Sequence, residues 1–400
     1  MTMINQADLK LRKQKKLISD CIRTGAPLAV ALEEIGWTYD DLQYENSAKP
    51  RVNRARYYKL DEFSKQETNI PVVSFFSGAG GLDLGLEASG YSHLALIEKN
   101  ELFCDTIRLN RPAWNVLGPP GFSGDVSLSD EVIAALEPVI GTSAFEGVFV
   151  GGPPCQPFSI AANQRFSKSG NNFKRVGFCH ETNGNLLFDF IELIKHFRPA
   201  AFLIENVPGL LDIDGGEQLQ RAYRDLEGAG YAVHEPTVLI AAEHYVPQNR
   251  TRLFVVGNRL GKDFLPPPPT GEQLSCAAVF KLPLKGIENH VTRNHSADSV
   301  ERYMKLNYGE RDQLGRVDRL DPKLPSKTVI AGGTSGGGRS HLHPFIPRTL
   351  SVRESARIQT FPDDYVFAGP AARQFTQVGN AVPPILGAQL GSAIFDSFFR

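Results

Sequence analysis

The stretch GGPPCQPFS, residues 151–159, sets a single thiol, Cys155, among Pro153, Pro154 and Pro157 at the end of an apolar run. Each proline fixes φ and removes a backbone donor, so the segment reads as a stiff loop presenting Cys155 rather than as the interior of a strand. A thiol that is exposed, held and partly ionised is a nucleophile. Glu205 ends a second apolar run, AAFLIE, ahead of a Pro-Gly turn. If both runs are strands of one parallel sheet, their carboxyl ends share an edge and Glu205 converges on Cys155. FFSGAGGLDLGLE places Gly78, Gly80, Gly81 and Gly85 just after another apolar run. Such a turn lets a ligand approach the main chain, and the following helix offers free amides. Glu98, twenty residues beyond Gly78, ends LALIE, where a carboxylate accepts ribose hydroxyls; Asp125, in GDVS, could reach an adenine amino group if it ends the next strand.

Positioning such groups requires a sheet. From residue 70 onward, five- or six-residue apolar runs (PVVSFF, HLALIE, FEGVFVGG, AAFLIENV, RLFVVGN) alternate with helical segments such as NLLFDFIELIKHF and GEQLQRAYRDLEGAG. That alternation predicts a doubly wound, mostly parallel α/β sheet over about 70–262, covered on both faces. Residues 1–69 read as an N-terminal helical appendage, with a short helix in PLAVALEEIGWTYDDL and a turn at Gly36. PPPP at 266–269 closes the α/β pattern, and 263–347 has little periodicity. In TLSVRESARIQTF, Glu354 three residues after Ser351 predicts a helix opened by a capping box, within a connector spanning 348–376. The last segment, 377–400, is expected to return to the large domain as an apolar helix.

Hydrophobic content of 42% and charged content of 22% are those of an ordinary globular chain, without a signal peptide or an apolar run of membrane-spanning length. Five scattered cysteines form neither a disulfide framework nor a CxxC zinc or redox pair, so no metal is expected and a reducing, cytoplasmic setting is. The net charge of −1 conceals a division along the chain. Residues 281–360 carry 14 Lys and Arg against 8 Asp and Glu, and residues 1–60 carry 11 against 7. Basic surfaces on a neutral chain suit a polyanion.

The order and wording of these segments resemble the DNA (cytosine-5) methyltransferases, which use S-adenosylmethionine. FSGAGGLDLGLE is similar to the family's cofactor loop, GGPPCQPFS to its nucleophile loop and IENVPGLL to its Glu-Asn-Val segment. PQNRTRLFVVG, RTLSVRESARIQTFPDDY and QVGNAVPP follow in the family's order. The resemblance covers 72 to about 390 and implies a Rossmann-like S-adenosylmethionine-dependent methyltransferase fold with a smaller target-recognition domain at 263–347. It implies that Cys155 adds to cytosine C6 and that Glu205 holds N3 and the exocyclic amine. Arg250 would complete the base pocket, with Arg252 and Gln248 supporting it. Phe76, Ser77, Gly78, Ala79, Gly80, Gly81 and Pro153 would bind the cofactor, with Glu98 on its ribose and Asp125 on adenine. Leu186, Asn380, Ala381 and Val382 would close around its methionine part. Position 99 is Lys, where relatives commonly carry an aromatic residue beside adenine.

Because C6 is unreachable in a duplex, the target base must be flipped out. Ser159, Gln164 and Gln248 are expected at the DNA, and Arg316 and Arg339 are candidate base readers in the variable segment. The partner implied is double-stranded DNA, acted on by a bacterial monomer of the restriction-modification type, with a cognate endonuclease in the same system. Two rivals remain: a methyltransferase acting on tRNA, since one branch of the family shares the Cys and Glu elements, and a DNA-binding regulator without chemistry. A nicotinamide oxidoreductase is disfavoured, because Gly78-x-Gly80-x-x-Asp83 lacks the third glycine of the dinucleotide fingerprint and the Pro-Cys loop would have no role.

Overall fold

The computed structural model describes residues 6–46, 50, 52, 56–65, 67–154, 186–331 and 341–400. Its centre is an eight-stranded sheet assembled from β1 (Pro71–Phe75), β2 (Ser92–Ile97), β3 (Val116–Leu117), β4 (Val148–Gly151), β5 (Ala201–Asn206), β6 (Ala232–Val233), β7 (Thr237–Ile240) and β9 (Thr251–Asn258). The order is β3-β2-β1-β4-β5-β9-β6, with β7 also on β9. The first five strands run parallel; β9 is antiparallel to β5, β6 and β7. The chain winds outward from β1 to β3 and then starts again at β4 on the other side of β1. Ligands of such sheets sit at that reversal, outside the carboxyl ends of the strands.

Period-two alternation sends the two sets of strand residues into two cores. Val72, Val148, Val150, Ala201, Leu203, Phe254 and Val256 join one, under the helices Gly81–Ala88 and Pro384–Phe398. Val73, Phe75, Phe149, Phe202, Ile204, Leu253 and Val255 join the other, under Ser129–Ile140, Leu186–Phe197 and Glu217–Gly228. The final helix does return to the large domain, and glycines decide how closely. A Cβ on Gly85 would lie 2.4 Å from the Pro384 carbonyl oxygen and 2.5 Å from the Ala388 nitrogen, and one on Gly387 would lie 3.0 Å from the Leu82 carbonyl oxygen. The two backbones touch there, which only glycine permits.

The smaller region carries short strands: β10 (Arg311–Asp312), β11 (Val317–Arg319) and β13 (His341–Leu342) form one sheet, while β12 (Ser326–Lys327) pairs with β8 (Gln248–Asn249). The N-terminal segment is not a single appendage ending at 69. Helices Gln6–Thr24 and Leu28–Glu34 pack through Ile18, Cys21, Leu28 and Leu32 onto Ala297, Val300 and Met304 of the helix Ala297–Met304. The Tyr44 hydroxyl donates to the His343 carbonyl at 2.8 Å, and the Arg319 guanidinium lies between the Tyr44 and Tyr308 rings, 3.5 and 3.9 Å from their centroids. Leu60, Tyr57, Tyr58 and Phe63 instead join the core of the large domain. The apolar positions of 1–69 thus divide between two bodies, which their composition did not distinguish.

The capping box is present: the Glu354 amide donates to Ser351 Oγ at 3.1 Å, and the Ser351 amide donates to Glu354 Oε2 at 2.8 Å. The helix it opens, Val352–Ile358, is buried at every residue. Arg348 forks onto both Glu354 oxygens at 2.8 Å, Arg357 onto both Asp363 oxygens, and Arg353 donates to the carbonyls of Glu288, Pro362 and Tyr365. Burial raises the Glu354 pKa, but Arg348 outweighs it and holds the carboxyl near 2.

Candidate active site

The carboxyl ends of β1, β2, β4 and β5 bring the predicted groups to one edge. Beyond β1 the backbone takes positive φ at Phe76 (54°), Gly78 (57°) and Gly80 (73°). For a phenylalanine this is a strained conformation, of the kind held where a ligand must meet the main chain. A Cβ on Gly78 would meet only the Phe76 carbonyl oxygen, at 4.0 Å, so the space before the loop is open. Glu98 closes its far side: Oε2 accepts from the Gly78 amide and Oε1 from the Asn100 amide, both at 2.7 Å. Desolvation raises the pKa of this buried carboxyl to about 7, against the lowering effect of those amides.

That shift has a testable sign. The folded protein retains a proton on Glu98 that the unfolded chain has already lost, so Glu98's contribution to stability is full below pH 4.5 and is lost as pH rises toward about 7. The pH-dependent part is on the order of 3 kcal/mol. In Glu98→Gln the urea midpoint of the ligand-free protein should lose this component of its decline between pH 4.5 and 7. An unchanged slope would contradict the assignment.

Asp125 stands beyond β3, fixed by Ser127, whose amide and hydroxyl donate to Oδ1 at 3.1 and 2.8 Å. Its other oxygen, Oδ2, is held by Lys99. Leu186 is buried at the start of its helix, and the Phe190 ring of the same helix meets Phe76 edge-on at 6.1 Å. Ser77 donates to Ser74 Oγ at 3.0 Å. Gly81 has a different duty from the one expected: a Cβ there would lie 2.5 Å from the Val382 carbonyl oxygen and 2.9 Å from Ala381 Cβ. The 380–382 turn therefore seats itself on the start of the helix Gly81–Ala88. Ala381 and Val382 are buried in that contact, and Asn380 is exposed.

Around Glu205, register explains the geometry. Gly151 is level with Ile204 in the β4–β5 pair, which sets Gly152 beside Glu205, and a Cβ on Gly152 would lie 3.0 Å from Glu205 Oε2. Across β9, Glu205 is opposite Phe254, so its diagonal neighbour on the same face is Arg252. Arg252 Nε reaches Glu205 Oε1 at 2.9 Å, with both side chains largely buried. Pro153 is buried, and the chain passes directly from Pro154 to Cys155.

Two expectations are corrected here. Arg250 was expected to complete the pocket with Arg252 supporting it, but Arg250 precedes β9 and turns inward. It is 1% exposed, and it donates to the Val329 and Asn380 carbonyls at 3.3 Å. Gln248 was assigned to DNA, yet it is wholly buried, giving Nε2 to Gln359 and accepting from the Val329 amide, each at 2.7 Å. Both side chains bind the large domain to the segment entering 332–340. Arg316 is exposed, at φ 54° in the turn between β10 and β11. Cys155, Ser159, Gln164 and Arg339 lie outside the described residues.

Sequence reasoning missed Tyr365. Its hydroxyl donates to the Ala79 carbonyl at 2.7 Å and would meet a Cβ on Gly80 at 3.1 Å, so the connector braces the glycine loop from behind. Arg353 holds the Tyr365 carbonyl at 2.7 Å, and this links the loop to the buried helix. Among the described residues, no group of His, Cys, Asp and Glu could hold a metal ion, and no helix is long and apolar enough to cross a membrane.

The family model described as "C-5 cytosine-specific DNA methylase" matches residues 70–396. The chain is 33% identical over 351 residues to the Type II methyltransferase M.PspPI of Psychrobacter sp. (strain TA137), covering 81% of this chain and 78% of the relative. It is also 33% identical over 362 residues to the Type II methyltransferase M.Eco47II of Escherichia coli, covering 84% and 81%. Among solved structures, a prophage-encoded E. coli protein described as a DNA modification methyltransferase superposes with a TM-score of 0.65. It has 23% identity, over 83% of this chain and all of the other. That likeness bears on the fold alone, a mostly parallel sheet covered by helices.

Proposed function

The chain belongs to the C-5 cytosine-specific DNA methylases, as a DNA cytosine-5 methyltransferase of the Type II restriction-modification class, and from that premise we propose how its residues carry out the reaction. The observation carrying the proposal is Glu205, held by Arg252 at a strand end, beside the Gly152 backbone that leads to Cys155.

In the proposed mechanism the target cytosine leaves the stack and enters this edge of the sheet, because C6 cannot be reached inside a duplex. The Cys155 thiolate forms a bond to C6, and the electron pair of the C5–C6 double bond moves toward N3. Glu205, hydrogen-bonded to N3 and the exocyclic amine, supplies a proton to N3 as charge develops there. Arg252 keeps Glu205 oriented and offsets its charge. C5, now an enamine carbon, takes the methyl group as its bond to the sulfonium sulfur breaks and leaves a neutral thioether; the C5 proton then departs to a base, N3 returns its proton to Glu205, and the C6–S bond breaks to restore the ring and the thiolate.

S-adenosylmethionine, when bound, supplies an electrophilic methyl group on a sulfonium. The residues present fit it: an open loop at positive φ, a buried carboxyl at Glu98 for ribose hydroxyls, and a carboxylate at Asp125 for an adenine amine. Leu186 and Phe76 would border its methionine part. The proposed biological role is protection of host DNA from a partner endonuclease, with exposed basic side chains of 281–360 such as Arg311 and Arg316 at the DNA, since Arg319, Arg348, Arg353 and Arg357 of that segment are buried.

The test is transfer of a labelled methyl group from S-adenosylmethionine to mixed-sequence duplex DNA and, in parallel, to tRNA. Label recovered as 5-methylcytosine in DNA is expected. Label on tRNA alone would replace the DNA reading with an RNA one, and label on neither would leave a DNA-binding regulator.

A further inference from the structure

The adenine end of the cofactor edge carries an ion pair whose form is not that of a simple surface contact. Asp125 is anchored: Ser127 takes Oδ1 twice, its own amide donates to Ser123 Oγ at 3.3 Å, and its side chain is 19% exposed. Lys99 is the exposed partner, with its side chain 70% exposed. The backbones that bear them are pressed together, since a Cβ on Gly124, at φ 65°, would fall 2.0 Å from the Glu98 carbonyl oxygen and 3.0 Å from Lys99 Cα. The two side chains therefore leave adjoining stretches of backbone, which places Asp125 Oδ2 within reach of the Lys99 ammonium.

With Oδ1 occupied by Ser127, Oδ2 is the oxygen open to a new donor, and Lys99 holds it. An adenine amine needs an acceptor of this kind. Resting on the cofactor reading above, we propose that Lys99 is a latch on the adenine subsite: the adenine amine competes with the Lys99 ammonium for Asp125 Oδ2. Lys99 is then a positioning residue that weakens cofactor binding in the resting enzyme. It favours rings bearing an exocyclic amine, because a ring without one cannot replace the donor it removes. The competition is modest in size, since the pair is exposed, and it is screened by salt.

The experiment is calorimetric titration of the full-length protein with S-adenosylhomocysteine at 0.05 and 0.5 M NaCl. Lys99→Ala should bind about 2–5-fold more tightly than wild type at low salt. Wild type should gain affinity with salt relative to Lys99→Ala. In an Asp125→Asn background, Lys99→Ala should change affinity little, because the latch has lost its catch. Weaker or unchanged binding in Lys99→Ala, or an equal gain in the Asp125→Asn background, overturns the latch while leaving the cofactor site standing. Failure of the wild-type protein to bind S-adenosylhomocysteine at either salt overturns the cofactor reading itself, and the latch with it.

Discussion

Replacing Cys155 with alanine is expected to remove methyl transfer by at least about 10⁴-fold, the scale on which enzymes lose turnover when their covalent nucleophile goes. The reason lies in the ring. Cytosine C5 is too weak a nucleophile to take a methyl group until C6 is bonded and the electron pair released. No neighbouring group replaces that bond: Glu205 and Arg252 stabilise charge on the pyrimidine but do not create the enamine. Binding should be retained, because phosphate contacts provide most of the affinity for DNA and do not involve the thiol. A second readout separates chemistry from folding. Duplex DNA with fluorine in place of hydrogen at the target C5 offers no proton to lose, so the C6–S bond cannot break after methylation. Wild type should form a protein–DNA adduct stable to denaturant, and Cys155→Ala should form none. Residual turnover within tenfold of wild type, or an adduct in the variant, would refute the assignment.

Much of this site was legible because its groups stand at strand ends. An apolar run followed by glycines or prolines marks both the strand and its exit, which points to Glu98 and Glu205 at one edge; Asp125, expected there only if it ended the next strand, instead lies eight residues beyond β3. The capping box at Ser351 and Glu354 was equally local, and the helix it predicted is there. What failed depended on packing over long separations. Nothing near Tyr365 in the chain indicates that its hydroxyl reaches Ala79, nearly three hundred residues earlier. Gly81 looked like part of a ligand loop, yet its missing side chain makes room for Val382. The N-terminal segment was read as one unit because its apolar periodicity is local. Ile18 and Leu60 nevertheless belong to different cores. Lys99 was visible as a departure from the usual aromatic residue, but only the contact of Gly124 with Glu98 and Lys99 turns it into a partner for Asp125.

The two arginines of PQNRTRLF separate these kinds of information most sharply, and their variants should behave in opposite ways. Residue type alone gives Arg250 and Arg252 equal claims on the base pocket. Strand parity does not: β9 begins at Thr251, Phe254 is level with Glu205, and Arg252 is the residue on Glu205's face at the next diagonal position. Arg252→Ala should therefore lower kcat for methyl transfer by about 10²–10³-fold, the usual cost of removing one donor that stabilises developing charge. Some stability should be lost as well, because the pair is largely buried and Glu205 is left without its partner, so kcat is compared per folded molecule. Arg252→Lys should recover part of the rate, since it restores charge without the guanidinium geometry. Arg250→Ala removes a buried guanidinium that ties the Val329 and Asn380 carbonyls together. Hydrogen bonds from charged groups contribute about 1.5–3 kcal/mol each, so a stability loss of about 3 kcal/mol is expected, with activity falling in step with the folded fraction. If Arg250→Ala instead lost kcat at unchanged stability while Arg252→Ala kept it, the pocket would be organised around the other arginine. The pairing of Arg252 with Glu205 would then be a feature of the resting enzyme that DNA binding reverses.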